Sequence, residues 1–336
     1  MNDFGFTAED QVKTVYKGLS HVVILGAGAS IASVCDNPEK NGKLLPSMDN
    51  LIDIIGLEGM LSSNIKKYNS RNFELLFSSL YEENKDSSLI KDLETEVYNY
   101  FDSLSLPDTP TIYDYLILSL RSKDIIATFN WDPFLWQAFV RNMDFTDNLP
   151  KLAFLHGNVA VGVCEEDKSF GPKYKLSNKS KKPFLPTKLL YPITKKDYAT
   201  NPYIADQWNL LSQGLKKPAR VTVFGYSAPK SDVEAIKIMK KAYGNPENQR
   251  FTQFEIIDIK DRYELADTWN EFIFSHHYEV YNDFFDSTIM RFPRRTGEVF
   301  WENYMQAKWW APNNPPRVNK LSELWDWYSK FLPAEN

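Results

Sequence analysis

Residues His21 to Ser30 read HVVILGAGAS: an apolar run behind a histidine, then Gly26, Ala27, Gly28, Ala29 and Ser30. A compact apolar run that stops at glycine has the pattern of a strand buried on both faces. Glycines at such a turn let another backbone or a ligand come close. The residues after them open a helix whose first N–H groups carry a positive dipole. The stretch therefore predicts a strand–turn–helix unit of a parallel α/β sheet. Gly26 to Ser30 either cradle a phosphate or make a tight turn with no ligand. The dehydrogenase fingerprint asks for a third glycine where Ile31 stands. It also asks for an acidic strand end about 20 residues on, whereas Asp49 falls at a helix start. Hydride transfer is not expected.

Outward from this unit the pattern repeats. Residues 8–19 predict a short amphipathic helix before the strand. After it the helix runs to Val34, and the polar stretch DNPEKNGK breaks it. Ser47 is a candidate cap for the next helix. From about 47 to 122 the spacing is helical, with NFELLFSSLYEE (72–83) and SLIKDLETEVYNYFDSL (88–104) carrying apolar residues three and four apart. Strands are predicted at Asp124–Phe129, Leu152–Leu155, Ala219–Phe224, Phe254–Ile259 and Tyr278–Tyr281. Helices are expected over 133–143, 198–216, 231–242 and 262–274. Val159–Cys164 is a candidate hairpin partner for Leu152–Leu155. Lys168–Lys188 holds seven lysines among Gly, Pro, Ser and Asn and reads as a loop, either solvated or touching an anionic partner. The tail from Gly297 reads as helical and contains Trp301, Trp309, Trp310, Trp325 and Trp327, residues that serve as core or interface anchors.

Strands that alternate with helices predict a doubly wound, mostly parallel, Rossmann-like α/β sheet. The expected organisation is one domain over 1–290 with a mainly helical insertion at about 47–122, and a helical, Trp-rich tail over 291–336. Ligands of such sheets bind beyond the carboxyl ends of the strands. Every unusual motif falls there. Thr128-Phe129-Asn130-Trp131-Asp132 ends one strand: Asp132 suits a helix cap, while Asn130 offers an amide to a sugar hydroxyl or a water. His156-Gly157 ends another, and imidazole is the usual general base near neutrality. His21 reads as structural, and His276-His277 as a surface pair. Gly225-Tyr226-Ser227 ends a third strand, with a glycine for close approach and the Ser227 hydroxyl for a phosphate or ribose. Asp258 ends a fourth, as a ribose ligand or an ordinary turn residue.

The 336 residues are 43% hydrophobic and 15% aromatic, which excludes wholesale disorder, and the net charge of −5 argues against a generally basic nucleic-acid surface. Cys35 and Cys164 are too few for a four-cysteine zinc site and suggest no disulfide framework. No metal is expected. The first residues carry acids and no apolar run, so neither a signal peptide nor a membrane span is expected, and the cytoplasm is the expected location.

Taken in chain order, GAGAS, TFNWD, LHG and GYS form a set that resembles the sirtuin-like NAD-consuming superfamily, over about two-thirds of the chain between Gly26 and Asp258. The resemblance implies NAD as substrate. It implies that Gly26, Ala27 and Ser30 line the diphosphate and ribose, with Gly28 in the same turn. Asn130 and Asp132 would meet the nicotinamide-side ribose and the carboxamide, and His156 would be the base. Gly225 and Ser227 would hold the rest of the dinucleotide, and Asp258 is the candidate for the adenosine ribose. The proline-aspartate-phenylalanine-arginine stretch and the zinc module of protein-deacylating sirtuins are missing. Those departures look like the bacterial branch that hydrolyses NAD in antiviral defence, whose members assemble into oligomers and act with a phage-sensing partner. The expected activity is NAD glycohydrolysis. The alternatives are a deacylase or ADP-ribosyltransferase using the same site, and a non-catalytic NAD- or ADP-ribose-binding assembly module. The leaving group suits hydrolysis: the pyridinium is already cationic, needs no general acid, and departs through an oxocarbenium-like state.

Overall fold

A computed structural model describes residues 7–193, 196–228 and 232–335. Six parallel strands form the main sheet: β1 (His21–Leu25), β2 (Ile125–Thr128), β3 (Lys151–Phe154), β7 (Arg220–Phe224), β8 (Gln253–Ile257) and β9 (Tyr278–Tyr281). Their order across the sheet is β3-β2-β1-β7-β8-β9. This is the doubly wound order in which the chain starts in the middle, winds to one edge, then returns and winds to the other. β1 lies between β2 and β7, with Val23 opposite both Ile126 and Thr222. Val22 to Leu25 are at most 2% exposed, the burial that a strand covered on both faces requires.

The predicted helical segment between β1 and β2 forms helices at Leu51–Ile55, Glu58–Tyr68, Phe73–Asn84 and Ser88–Asp102. Local chemistry sets the starts of the last two. The Asn72 side chain accepts the Leu75 N–H and the Ser87 hydroxyl accepts the Ile90 N–H, each meeting a donor that the first helical turn leaves free. The next helix, Ile112–Leu118, differs: Tyr113 to Leu118 are all buried, so it is a core helix, packed among neighbouring helices, rather than part of an outer layer.

The second sheet was not expected. Val159–Cys164 is not the hairpin partner of β3, which pairs only with β2. Instead β4 (Val161–Val163) pairs antiparallel with β5 (Phe170–Pro172) and β6 (Leu185–Pro186). The lysine-rich segment that read as a loop thus supplies two short strands. The turn after β3 redirects the chain: Gly157 has φ +78°, and a Cβ there would stand 2.3 Å from the Lys188 carbonyl oxygen. Other elements are shorter than predicted. The first helix spans Ala8–Lys13 only, and the helix after β8 only Arg262–Thr268. Ser231, the predicted start of the helix observed at Val233–Tyr243, lies outside the described residues.

The tail is helical in part. A helical turn at Thr296–Phe300 widens to a π-turn at Trp301–Met305, and the last helix is Leu321–Ser329. Leu324, Tyr328 and Phe331 are fully buried in the main core. Trp325 donates to the Asn142 side chain at 2.8 Å, and Trp310 is buried, whereas Trp309 is exposed. His21 is structural, as expected, with its ring nitrogens 2.7 Å from the Thr222 hydroxyl and 3.0 Å from the Thr296 hydroxyl. No helix among the described residues is long and apolar enough to cross a membrane.

Candidate active site

At the carboxyl ends of β1, β2, β3 and β7 lies a cavity of about 420 Å³. It sits at the switch point between β1 and β7, where the strand order reverses and α/β sheets bind ligands. Gly26, Ala27, Gly28, Asn130, Asp132, His156, Gly225 and Ser227 all line it. Residues as far apart in the chain as Gly26 and Ser227 thus converge. The helical segment closes the other side through Met48, Asp49, Asn72, Glu74 and Phe101.

The glycines have a structural reason of their own. A Cβ on Gly26 would meet the Gly225 carbonyl oxygen at 2.4 Å, and one on Gly28 would meet Gly225 Cα at 2.8 Å. Gly225 has φ +61°, and its own Cβ would stand 2.4 Å from the Ala29 nitrogen. The two strand-end turns therefore interlock backbone to backbone, and the Gly28 N–H donates to the Gly225 carbonyl at 3.0 Å. Lack of side chains fixes the wall of the cavity as well as leaving room in it.

Asn130 follows β2 and is held at both ends of its backbone and amide. Its N–H donates to the Thr128 hydroxyl at 3.0 Å, and its Nδ2 donates to the Gly26 carbonyl and the Ser30 hydroxyl, both at 2.8 Å. A carbonyl only accepts, so the nitrogen must face Gly26 and Oδ1 must face away. Oδ1 takes no hydrogen bond from the described residues and is left to the cavity. Ser30 is fully buried and does not line the cavity; it lies behind it, with its hydroxyl 2.5 Å from the Tyr113 hydroxyl. Its place is to set Asn130.

Asp132 caps as the sequence suggested, its Oδ1 accepting the Phe134 N–H at 3.1 Å at the start of helix Phe134–Asn142. It also faces the cavity at 4% exposure. Burial pushes its carboxyl up to about 6, against hydrogen bonds from Ser30 and Phe134 that favour the anion.

His156 is 5% exposed. Its Nε2 is 3.1 Å from the Tyr198 hydroxyl and 3.9 Å from Asp232 Oδ1, and its ring meets Phe129 edge-on at 4.9 Å. Burial first, and the nearby Lys196 ammonium second, push its imidazole down to about 3, while Asp232 acts the other way. The ring is therefore neutral at physiological pH. A carboxylate on the Nε2 side favours the proton there, which leaves the Nδ1 lone pair, without a partner among the described residues, as the basic position.

Lys196, Tyr226 and Asp232 also line the cavity, with no role assigned from sequence. Tyr226 stacks on Phe129 at 4.1 Å and donates to Asp232 Oδ2 at 2.9 Å; it sat in view inside the Gly-Tyr-Ser motif. Asp232 stands at the start of the helix expected over 231–242, yet its side chain caps no N–H. It pairs instead with the Lys196 ammonium. Nothing local to Lys196 signals that role. Asp258 is not among the lining residues; its carboxylate accepts the Lys260 N–H at 3.1 Å, as a turn residue does. No group of three or more His, Cys, Asp or Glu among the described residues could hold a metal ion.

No family model matches the chain, and no curated protein matches it. Solved structures do. A Sir2 homologue in complex with NAD is 14% identical over 90% of this chain and 94% of its own, with a TM-score of 0.37. A structure addressing the mechanism and regulation of Sir2 enzymes is 13% identical over 87% and 96%, with a TM-score of 0.41. One addressing sirtuin substrate affinity is 15% identical over 80% and 90%, with a TM-score of 0.40. These are low scores, and the fold described above rests on the strand order and pairing of the sheet itself.

Proposed function

We propose that this protein is an NAD glycohydrolase, cleaving NAD to nicotinamide and ADP-ribose, and that it is the NAD-depleting effector of an antiviral defence system. The supporting observation is the convergence of Asn130, Asp132 and His156 with the Gly26–Gly28 and Gly225–Ser227 turns on one cavity. The defence role rests on the sequence resemblance alone.

In the reaction the electron pair of the glycosidic bond moves onto the pyridinium nitrogen, and neutral nicotinamide leaves. A water oxygen bonds to the anomeric carbon and gives up one proton. The Asn130 oxygen, fixed by the grip of Gly26 and Ser30 on its nitrogen, orients a ribose hydroxyl or the water. The free Nδ1 of neutral His156 accepts a proton from the same group. Asp132, ionised for the most part at neutral pH, places a buried negative charge where the cationic end of the substrate would lie. Binding of the diphosphate against the paired turns at Gly26–Gly28 and Gly225–Ser227 holds the reacting end in place.

The test is release of nicotinamide and ADP-ribose from NAD by the purified protein, alone and with lysate of phage-infected cells as trigger. Turnover that Asn130→Ala and His156→Ala abolish is expected. Full turnover in both variants rejects the site. Nicotinamide release only with an acyl-lysine peptide or an acceptor protein present makes the same cavity a transferase or deacylase. Binding of NAD without turnover under any trigger makes it an assembly module. In cells, NAD loss on phage infection that His156→Ala prevents is the expected sign of the defence role.

A further inference from the structure

We propose that Lys196 is the cation that receives the diphosphate in this cavity, and that the substrate, by drawing Lys196 away from Asp232, releases Asp232 to pair with His156 and so readies the base. The proposal rests on the dinucleotide reading above and adds a positioning pair to it.

Among the described residues that line the cavity, Lys196 is the one cation, set against Asp49, Glu74, Asp132 and Asp232. Among the described residues a dianionic diphosphate has no other positive side chain there to meet. Lys196 is buried, its side chain 4% exposed, as is that of Asp232. An ammonium has three donors. This one reaches a single acceptor among the described residues, Asp232 Oδ1. A buried cation with donors unused is costly unless an anion arrives to take them. The arrangement is that of an anion site held shut by an internal anion.

The Asp232 carboxylate is also the hinge of the cluster. Tyr226 donates to Oδ2 at 2.9 Å and fixes one oxygen. The other, Oδ1, is shared: Lys196 holds it, and His156 Nε2 stands 3.9 Å away, beyond hydrogen-bond reach. Lys196 enters from the segment before helix Pro202–Gly214, and Asp232 from the loop after β7, so the pair joins two separate chain segments across the cavity. Facing His156 are the Tyr198 hydroxyl at 3.1 Å, the Asp232 carboxylate, the Lys196 ammonium and the apolar edge of Phe129. Of these, only the ammonium opposes protonation of the ring by its charge, and only Asp232 favours it. Moving the ammonium toward a diphosphate removes the first influence and frees the second. A weak base becomes a stronger one when the substrate is seated, and the empty site does not hold a charged imidazole that water would stabilise.

The experiment follows the His156 imidazole by nitrogen-15 NMR across pH, with His156→Gln assigning the signal. It is run on the protein alone, with ADP-ribose, and on Lys196→Met. The titration midpoint is expected to rise by one unit or more, about tenfold in proton affinity, when ADP-ribose binds. In Lys196→Met the midpoint is already raised, and ADP-ribose adds nothing. Calorimetry should show Lys196→Met binding ADP-ribose at least about tenfold more weakly, with Lys196→Arg recovering most of the loss. ADP-ribose that binds without moving the midpoint, or that binds Lys196→Met as tightly as the parent, overturns the proposal while leaving the dinucleotide site standing. No ADP-ribose binding at all overturns both.

Discussion

Two clusters of buried charge stand at opposite ends of the sheet, and they are completed to different degrees. At the amino ends of the strands, Arg294 and Arg295 surround Glu335 with almost no exposure of any of the three side chains. Arg294 uses every donor of its guanidinium, on the carbonyls of Leu118, Leu120 and Asn148 and on Glu335. Arg295 reaches the carbonyls of Gln11, Val12 and Arg294 and shares Glu335. The Leu118 and Leu120 carbonyls come before β2 and that of Asn148 before β3, while Gln11 and Val12 belong to the first helix, so the cluster ties these segments to the tail. At the carboxyl ends, Lys196 has one acceptor, Asn130 Oδ1 and the His156 Nδ1 lone pair have no donor among the described residues, and all three residues line a cavity. Arg294 and Glu335 find their partners inside the protein, whereas the groups at the carboxyl end open onto a cavity. Buried polar groups are normally satisfied, so a saturated cluster marks architecture and an unsaturated one on a cavity marks the place of a ligand.

That contrast can be broken from either end. At the unsaturated end, His156→Ala should lower nicotinamide release by roughly 10²–10⁴-fold, the usual worth of a positioned general base, while urea unfolding shifts little by comparison. At the saturated end, Glu335→Gln leaves two buried guanidiniums without their anion. It should cost about 3–5 kcal/mol in urea unfolding, with KM for NAD unchanged. A loss of activity out of proportion to stability in that variant would erase the distinction.

The pH dependence of stability sharpens it. His156 binds its proton less readily folded than unfolded. Its contribution is therefore present above the ordinary histidine range and is lost as pH falls from about 6.5 toward 3. Asp132 has the opposite sense. Its folded carboxyl titrates at about 6, above its unfolded value, so its contribution is present at low pH and is lost as pH rises from about 4 to 6. Asp132→Asn should remove that loss and stabilise the protein by about 1–3 kcal/mol at pH 7, while reducing turnover. His156→Gln should flatten the acid limb, which His21, held neutral by burial in the same way, will still bend. Urea midpoints between pH 4 and 8 measure both. The smallest effect is expected at Asp258, outside the cavity lining: Asp258→Ala should weaken ADP-ribose by no more than about threefold in calorimetry, which is under 1 kcal/mol.

The readable features share a physical character. The run HVVIL is apolar because β1 is covered on both faces, and GAGAS follows because a backbone presses on it; both causes act within a few residues of the signal. The same holds for TFNWD, LHG and GYS, each at the end of its own strand, and for the helices Phe73–Asn84 and Ser88–Asp102, whose periods and caps are local. The misread elements depend on partners elsewhere. Val161–Val163 has strand character wherever it pairs, and only the turn at Gly157 and the return of Leu185–Pro186 decide that it leaves the main sheet.

By itself, then, the sequence determined the parallel strands, the helical segment after the first βα unit, and the set of strand-end residues to be compared. Strand burial, glycine turns and helix caps are local properties that the chain carries wherever it folds. The tertiary structure alone decided that Ser30 stands behind Asn130 rather than in the cavity, that Asp258 stays outside it, and that Lys196 meets Asp232 beside His156. Lys196 and Asp232 come from different loops. Their pairing depends on the closing of the sheet and the desolvation that follows, and neither is written near either residue.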